Sequence, residues 1–220
     1  KKFPNTLSTW IDFLIYAVIG NIIPFQLIAQ GQIFITSGMA GLLMAFVPLM
    51  TMVLAHIFLP NNELNRFKII GFILGISGVL FILGPSINDG NNELYGILLI
   101  LGATFFYSIN SVIVEKLTKY DPLVAATCST TLASLLAFLL WPDIINLSLD
   151  GVPIKTLLNM LALGLLSTGL GALIYFNLIN NAGAAFLSNM NYVIPVYAFT
   201  LGAFVLGEPV LWQNMVALVL

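Results

Sequence analysis

Tyr107 and Asn110 stand three residues apart in an otherwise apolar stretch, with Thr104 and Ser111 on neighbouring helical positions. Asn189 and Tyr192 form a similar pair, and Asn191 precedes Pro195 by four residues. Gln26 and Gln30 share a helical face, as do Thr168, Gly171 and Tyr175. Amides and hydroxyls donate and accept hydrogen bonds without carrying charge. Two roles suit them: gluing helices together, worth about 0.6 kcal/mol each in a membrane, or lining a wet cavity. Any one of these residues alone fits the first role. Taken together, Gln26, Gln30, Tyr107, Asn110, Tyr175, Asn189, Asn191 and Tyr192 point to a polar lumen for an uncharged or zwitterionic small molecule.

Other chemistries lack their parts. Cys128 is the single cysteine, so neither an internal disulfide nor a cysteine-based metal cluster can form. "GISG", Gly75–Gly78, has the look of a nucleophile turn in an intramembrane protease. Such a serine needs a histidine base on a later helix, and the one histidine, His56, comes earlier. With Gly71 and Gly75 at GxxxG spacing, close helix packing is the expected role. No nucleotide-binding loop occurs, no cofactor is expected, and seven basic residues exclude a nucleic-acid surface.

The elements that must position the amides follow from composition. The 220 residues are 60% hydrophobic and 7% charged, with mean hydropathy +1.04. A soluble domain carries about 25% charged residues, so no water-facing surface can be built here and the solvent is lipid. No Asp, Glu, Lys or Arg lies between Asp12 and Glu63, room for two spans of about 20 residues. Backbone polar groups in hydrocarbon must be satisfied internally, which makes the spans helices. Seven apolar segments are long enough: 11–30, 34–59, 67–84, 94–114, 122–141, 155–179 and 184–206, with an eighth from Leu211. Turn-rich separators divide them, among them "PNNELNR", "GPSINDGNNE" and "NNAG".

Charge orients the segments. Assigning loops alternately to two sides puts Lys1, Lys2, Arg66, Lys68, Lys116 and Lys119 on one and Lys155 on the other. The positive-inside rule then places residues 1–10 in the cytoplasm, and the plasma (inner) membrane is the expected location. No span carries a central acidic residue, which costs about 3 kcal/mol on insertion scales and marks proton or cation sites. Asp12 and His56 fall at cytoplasmic helix ends, where snorkelling accounts for them. The coupling ion, if there is one, and any homodimer are left open.

The chain repeats itself. A shift of 147 residues carries Pro48 onto Pro195, Gln30 onto Asn177 and Leu54 onto Leu201, and a shift of 145 then carries Glu63 onto Glu208. Segment two thus corresponds to segment seven, five spans later, and an odd displacement inverts topology. The expected architecture is an all-α polytopic membrane protein with an inverted five-plus-five repeat. Seven spans and part of an eighth are present, in domains 1–85 and 93–220, and two further spans are expected ahead of residue 1. Pro48 and Pro195, each inside an apolar run, are expected to kink their helices and shape or gate the cavity.

These features resemble the drug/metabolite transporter superfamily, in its ten-helix EamA-type branch. The residues that carry the resemblance are "TSGMAGLLMAFVPLMTMVLAHIFLPNNELNRFKIIGFILGISGVL" and "GAAFLSNMNYVIPVYAFTLGAFVLGEPVLWQNMVALVL", with "ELYGILLILGATFFYSINSVIVEKL" opening the second half. The chain departs from the pattern at "PNNE", where a Gly-Glu turn is usual, and at Val216, where glycine is commoner. The resemblance implies export or exchange of small metabolites, amino acids among them, through a central cavity that opens alternately to either side. A non-transporting membrane sensor and an intramembrane enzyme are the alternatives. The enzyme lacks a visible nucleophile–base pair or acidic metal cluster.

Overall fold

The computed structural model describes residues 4–58, 64–88, 92–114, 120–142, 146, 148, 150–190, 193–208, 212 and 215–216, with the backbone alone for 82–88, 179 and 182–190. The described residues form ten α-helices: α1 Leu7–Ala17, α2 Ile23–Gly31, α3 Ser37–Met44, α4 Phe46–Phe58, α5 Arg66–Asn88, α6 Glu93–Ile113, α7 Pro122–Leu140, α8 Ile154–Ala162, α9 Gly171–Met190 and α10 Val193–Val205. Several join end to end. A π-helical turn, Val18–Ile22, connects α1 to α2, and another, Leu163–Leu170, connects α8 to α9. Five continuous runs are long and apolar enough to cross a membrane: Leu7–Gly31, Ser37–Phe58, Glu93–Ile113, Pro122–Leu140 and Ile154–Leu178. Leu158, Leu161, Leu165 and Leu166 are all exposed. In water that would be a liability, but lipid tails are as apolar as leucine. The molecule is an all-α polytopic membrane protein.

The chain divides into two compact units, Lys1–Ile22 with Ile113–Leu187, and Ile23–Val112 with Ser188–Leu220. In the first, α1 packs on α7 around a core of Phe13, Tyr16, Val124, Ala125, Cys128 and Phe176. Small residues on α7 let the rings in: Ala125 and Ala126 are buried beside Phe13 and Tyr16. Thr9 Oγ1 and the Tyr120 hydroxyl share a 2.7 Å hydrogen bond, and Asn180 Nδ2 on α9 donates to the Tyr120 carbonyl at 3.2 Å. α7 starts sharply because Asp121 caps it, accepting from Leu123 N at 3.0 Å, and Pro122 occupies the first helical position.

In the second unit, α2 lies against α6 where Gly31 meets Gly96 and Ile100, while Leu27 meets Gly102. Ile97 and Ile100 of α6 are buried with Met39, Leu42 and Leu43 of α3 and Phe199 of α10. α3 and α10 run antiparallel and nearly touch. A Cβ on Gly41 would collide with the Ala198 Cβ, and one on Gly202 would lie 3.4 Å from the Gly38 Cα. This is small-residue packing, in which van der Waals contact replaces a hydrophobic drive that lipid does not supply.

The helix breaks have identifiable causes. Pro48 has no N–H and its ring crowds the carbonyl four residues back, and the helix is interrupted at Ala45, between α3 and α4. Pro24, second residue of α2, stands in the same relation to Gly20, and there the backbone widens into the π-helical turn instead. Thr168 Oγ1 donates to the Leu163 carbonyl five residues back at 3.1 Å, inside the second π-helical segment.

One separator differs from the sequence expectation. "NNAG" does not end a helix: α9 runs through it to Met190, so residues 184–190 belong to the run that begins at Ile154. Asn181 Nδ2 donates to the Asn177 carbonyl at 2.9 Å and to Asn177 Oδ1 at 2.7 Å, binding the asparagines to their own helix instead of to a turn. The stretch also lacks a proline. "PNNELNR" does separate helices, whereas α5 runs on through the first half of "GPSINDGNNE" to Asn88; 59–63 and 89–91 lie outside the described residues.

Element boundaries recur at the spacing seen in the sequence. Leu7 and Ile154, which open two of the apolar runs, are 147 apart. The turn Val18–Ile22, moved by that amount, falls inside Leu163–Leu170.

Candidate functional site

The hydroxyls and amides of α6 divide into two kinds. Thr104 Oγ1 donates to the Leu101 carbonyl at 2.7 Å and Ser111 Oγ to the Tyr107 carbonyl at 2.9 Å. Both fold back on their own helix, as such residues do where no better acceptor is near. Ser108, which spacing did not single out, is fully buried and bridges helices. Its Oγ lies 2.7 Å from the Thr104 carbonyl and 3.0 Å from the Val47 carbonyl on α4, next to Pro48. The serine thereby ties α6 to α4 one residue ahead of the proline.

Asn110 is different. It is 4% exposed, and its Oδ1 has no hydrogen-bond partner among the described residues. A buried acceptor left open costs about 1–3 kcal/mol. Tyr107, one helical turn back, is half-buried. On α2, Gln26 is half-buried and Gln30 exposed. α2 packs on α6, so four of the amide and phenol residues lie on two adjoining helices of one unit. Asn21 Nδ2, in the turn Val18–Ile22, also lacks a partner among the described residues and was not foreseen.

The remaining candidates separate from this group. Tyr175 belongs to the first unit and packs against the aromatic cluster there, its ring 5.6 Å from Phe176, which in turn lies 5.3 Å from Tyr16. Asn189 lies on α9 with only its backbone described, while Asn191 and Tyr192 lie outside the described residues. Pro48 is buried beyond the break at Ala45. Pro195 is buried in α10, and residues 191 and 192, just ahead of that helix, lie outside the described residues. Of the GxxxG pair, Gly75 packs tightly and Gly71 does not. A Cβ on Gly75 would collide with Leu49 Cδ1, whereas one on Gly71 would meet nothing within 4 Å among the described residues. Ser77 Oγ is tied to the Ile73 carbonyl at 2.9 Å, which suits a packed helix and not a nucleophile.

Glu208, in the "GEP" turn, has a role that its place in a loop did not announce. Its Oε1 accepts from Ser37 N and its Oε2 from Gly38 N, each at 2.8 Å. The carboxylate thus caps the N-terminus of α3, alongside Thr36, whose hydroxyl accepts from Met39 N at 3.2 Å. Among the described residues, no group of His, Cys, Asp and Glu could hold a metal ion.

Membrane-spanning helices with broken backbones, glycine-packed contacts and uncharged polar groups along one pair define an integral membrane protein of the transporter kind. The chain belongs to the EamA-like transporter family, whose pattern matches residues 1–84 and again 94–220. Similar proteins carry transporter names. A protein of Archaeoglobus fulgidus described as "Uncharacterized transporter" is 28% identical over 180 residues, 81% of this chain and 63% of that one. A protein of Salmonella typhimurium described as "Probable amino-acid metabolite efflux pump" is 26% identical over 193 residues, 84% of this chain and 64% of that one. The "Uncharacterized inner membrane transporter YedA" of Escherichia coli is 27% identical over 178 residues, 79% of this chain and 56% of that one. The chain therefore spans a little under two thirds of these relatives' length. A solved crystal structure shares the fold with TM-score 0.65 at 19% identity, covering 97% of this chain and 72% of the other.

Proposed function

We propose that the protein is a secondary transporter that exports or exchanges small neutral or zwitterionic metabolites, amino acids among them, by alternating access between two inverted halves. The observation that carries this reading is the double match of the family pattern, over residues 1–84 and again over 94–220, with a π-helical segment in each copy of the first apolar run and a break ahead of Pro48. Repeated units with interrupted helices are how secondary transporters bring backbone and amide groups to a site near mid-membrane. Uncharged polar residues suit a substrate whose charges balance, because a fixed carboxylate would bind cations instead. The name of the Salmonella typhimurium relative supports amino-acid metabolites as the class. Gln26, Gln30, Tyr107 and Asn110 are the proposed lining, with Asn189, Asn191 and Tyr192 joining them on the next repeat. The plasma (inner) membrane is the proposed location, supported by the Escherichia coli relative's name.

The decisive measurement is counterflow in proteoliposomes holding the purified protein. Vesicles preloaded with one unlabelled amino acid or related neutral metabolite should accumulate its labelled form from outside, and empty liposomes should not. Absence of counterflow across a panel of neutral, zwitterionic and charged metabolites would favour a sensor over a transporter.

A further inference from the structure

We infer that Glu208 is a latch: its carboxylate holds the C-terminal end of α10 to the N-terminal end of α3, and the transport cycle releases it. This inference rests on the transporter reading. One residue closes two helix ends at once. Glu208 N donates to the Gly202 carbonyl at 3.0 Å, finishing α10, while its side chain takes Ser37 N and Gly38 N at the start of α3. Gly207 aims it, with φ +68, a left-handed conformation that side-chain-bearing residues rarely adopt. Space for the carboxylate is made by glycines on both helices. A Cβ on Gly202 would lie 2.5 Å from Oε2, and a Cβ on Gly38 would lie 2.9 Å from it.

The character of the contact suits opening. Below it, α3 and α10 meet through Gly41 and Ala198, a surface with little side chain to interlock. At the end, the bonds are charge-assisted and directional, aimed at the positive end of a helix. Glu208 is half-buried, so water can take over both the carboxylate and the two N–H groups when the ends part. A contact that water can replace breaks at lower cost than an apolar core. α3 and α10 come from the two copies of the repeat yet pack within one compact unit, so opening parts their ends and not the whole interface.

The test uses the purified full-length protein, Cys128→Ser background, with Glu208→Gln and, separately, Gly202→Ala. The second keeps the charge but leaves no room for Oε2. Hydrogen exchange of a peptide covering residues 33–44 reads the two N–H groups directly, and alkylation of a Ser37→Cys probe reads opening of the helix ends. A latch predicts exchange and alkylation roughly tenfold faster in both variants, the effect of losing one charge-assisted bond, with the melting temperature little changed and counterflow altered. Unchanged exchange would show that the carboxylate holds nothing. Faster exchange with unchanged alkylation and counterflow would leave a static helix cap and overturn the latch. If no metabolite is transported by the parent protein, the transporter reading fails on its own, while exchange and alkylation still decide whether the helix ends part.

Discussion

Asn110 concentrates the question of function in one atom. Its Oδ1 is buried with no partner among the described residues, while the hydroxyls around it are bound to backbone. Replacing a buried, unsatisfied polar group by an apolar one of similar shape is close to neutral for folding, within about 1 kcal/mol. Asn110→Leu should therefore melt in detergent near the parent temperature and yet lose most counterflow. Equal loss of both would mean that the amide serves packing. Ser108 contrasts with it, since its hydroxyl ties α6 to the Val47 carbonyl. Ser108→Ala should lower stability by about 1 kcal/mol, read as a lower melting temperature. Both residues lie within one turn of each other, and only the map of partners tells them apart.

At the scale of helices, the glycines make the sharpest predictions. Gly41→Ala drives a Cβ into the Ala198 Cβ, a rigid contact between backbones, and should cost about 1–3 kcal/mol as an overpacked interface. Gly71→Ala meets nothing within 4 Å and should be neutral or stabilise by up to about 1 kcal/mol, since alanine is the better helix former. Gly75→Ala falls between them, because the atom in its way is the end of the Leu49 side chain. Thermal melts of the three variants in one detergent would rank them, and a Gly71 cost equal to that of Gly41 would contradict the packing described. The sequence shows Gly71 and Gly75 as equals at GxxxG spacing. Only the neighbour across the interface makes one tight and the other open.

At the scale of the whole molecule, the proposed topology has residues 1–10 inside. Cysteine placed at Ile33, which is exposed, should react with an impermeant thiol reagent added to intact cells, and cysteine at Asn65 should be protected until the membrane is opened. The reverse pattern would invert the protein. That orientation is proposed from lysine and arginine counts, which depend on sequence alone. The repeat was legible in the sequence as well, and the family pattern matches the chain twice, over residues 1–84 and 94–220.

What the sequence determined by itself is whatever lipid dictates chemically. A chain with 7% charged residues cannot face water, its spans must be helices, and Pro48 must interrupt the one it sits in. Tertiary structure decided what depends on distant atoms. Ser108 found the Val47 carbonyl on α4, and Gly41 came up against Ala198 of α10. Glu208 reached the start of α3 across 171 residues of sequence, and of the α6 polar residues Asn110 kept an open acceptor. Composition and periodicity report which solvent a residue prefers. They do not report which partner it finds, because a hydrogen bond is decided over about 3 Å, a length that a separation along the chain does not specify.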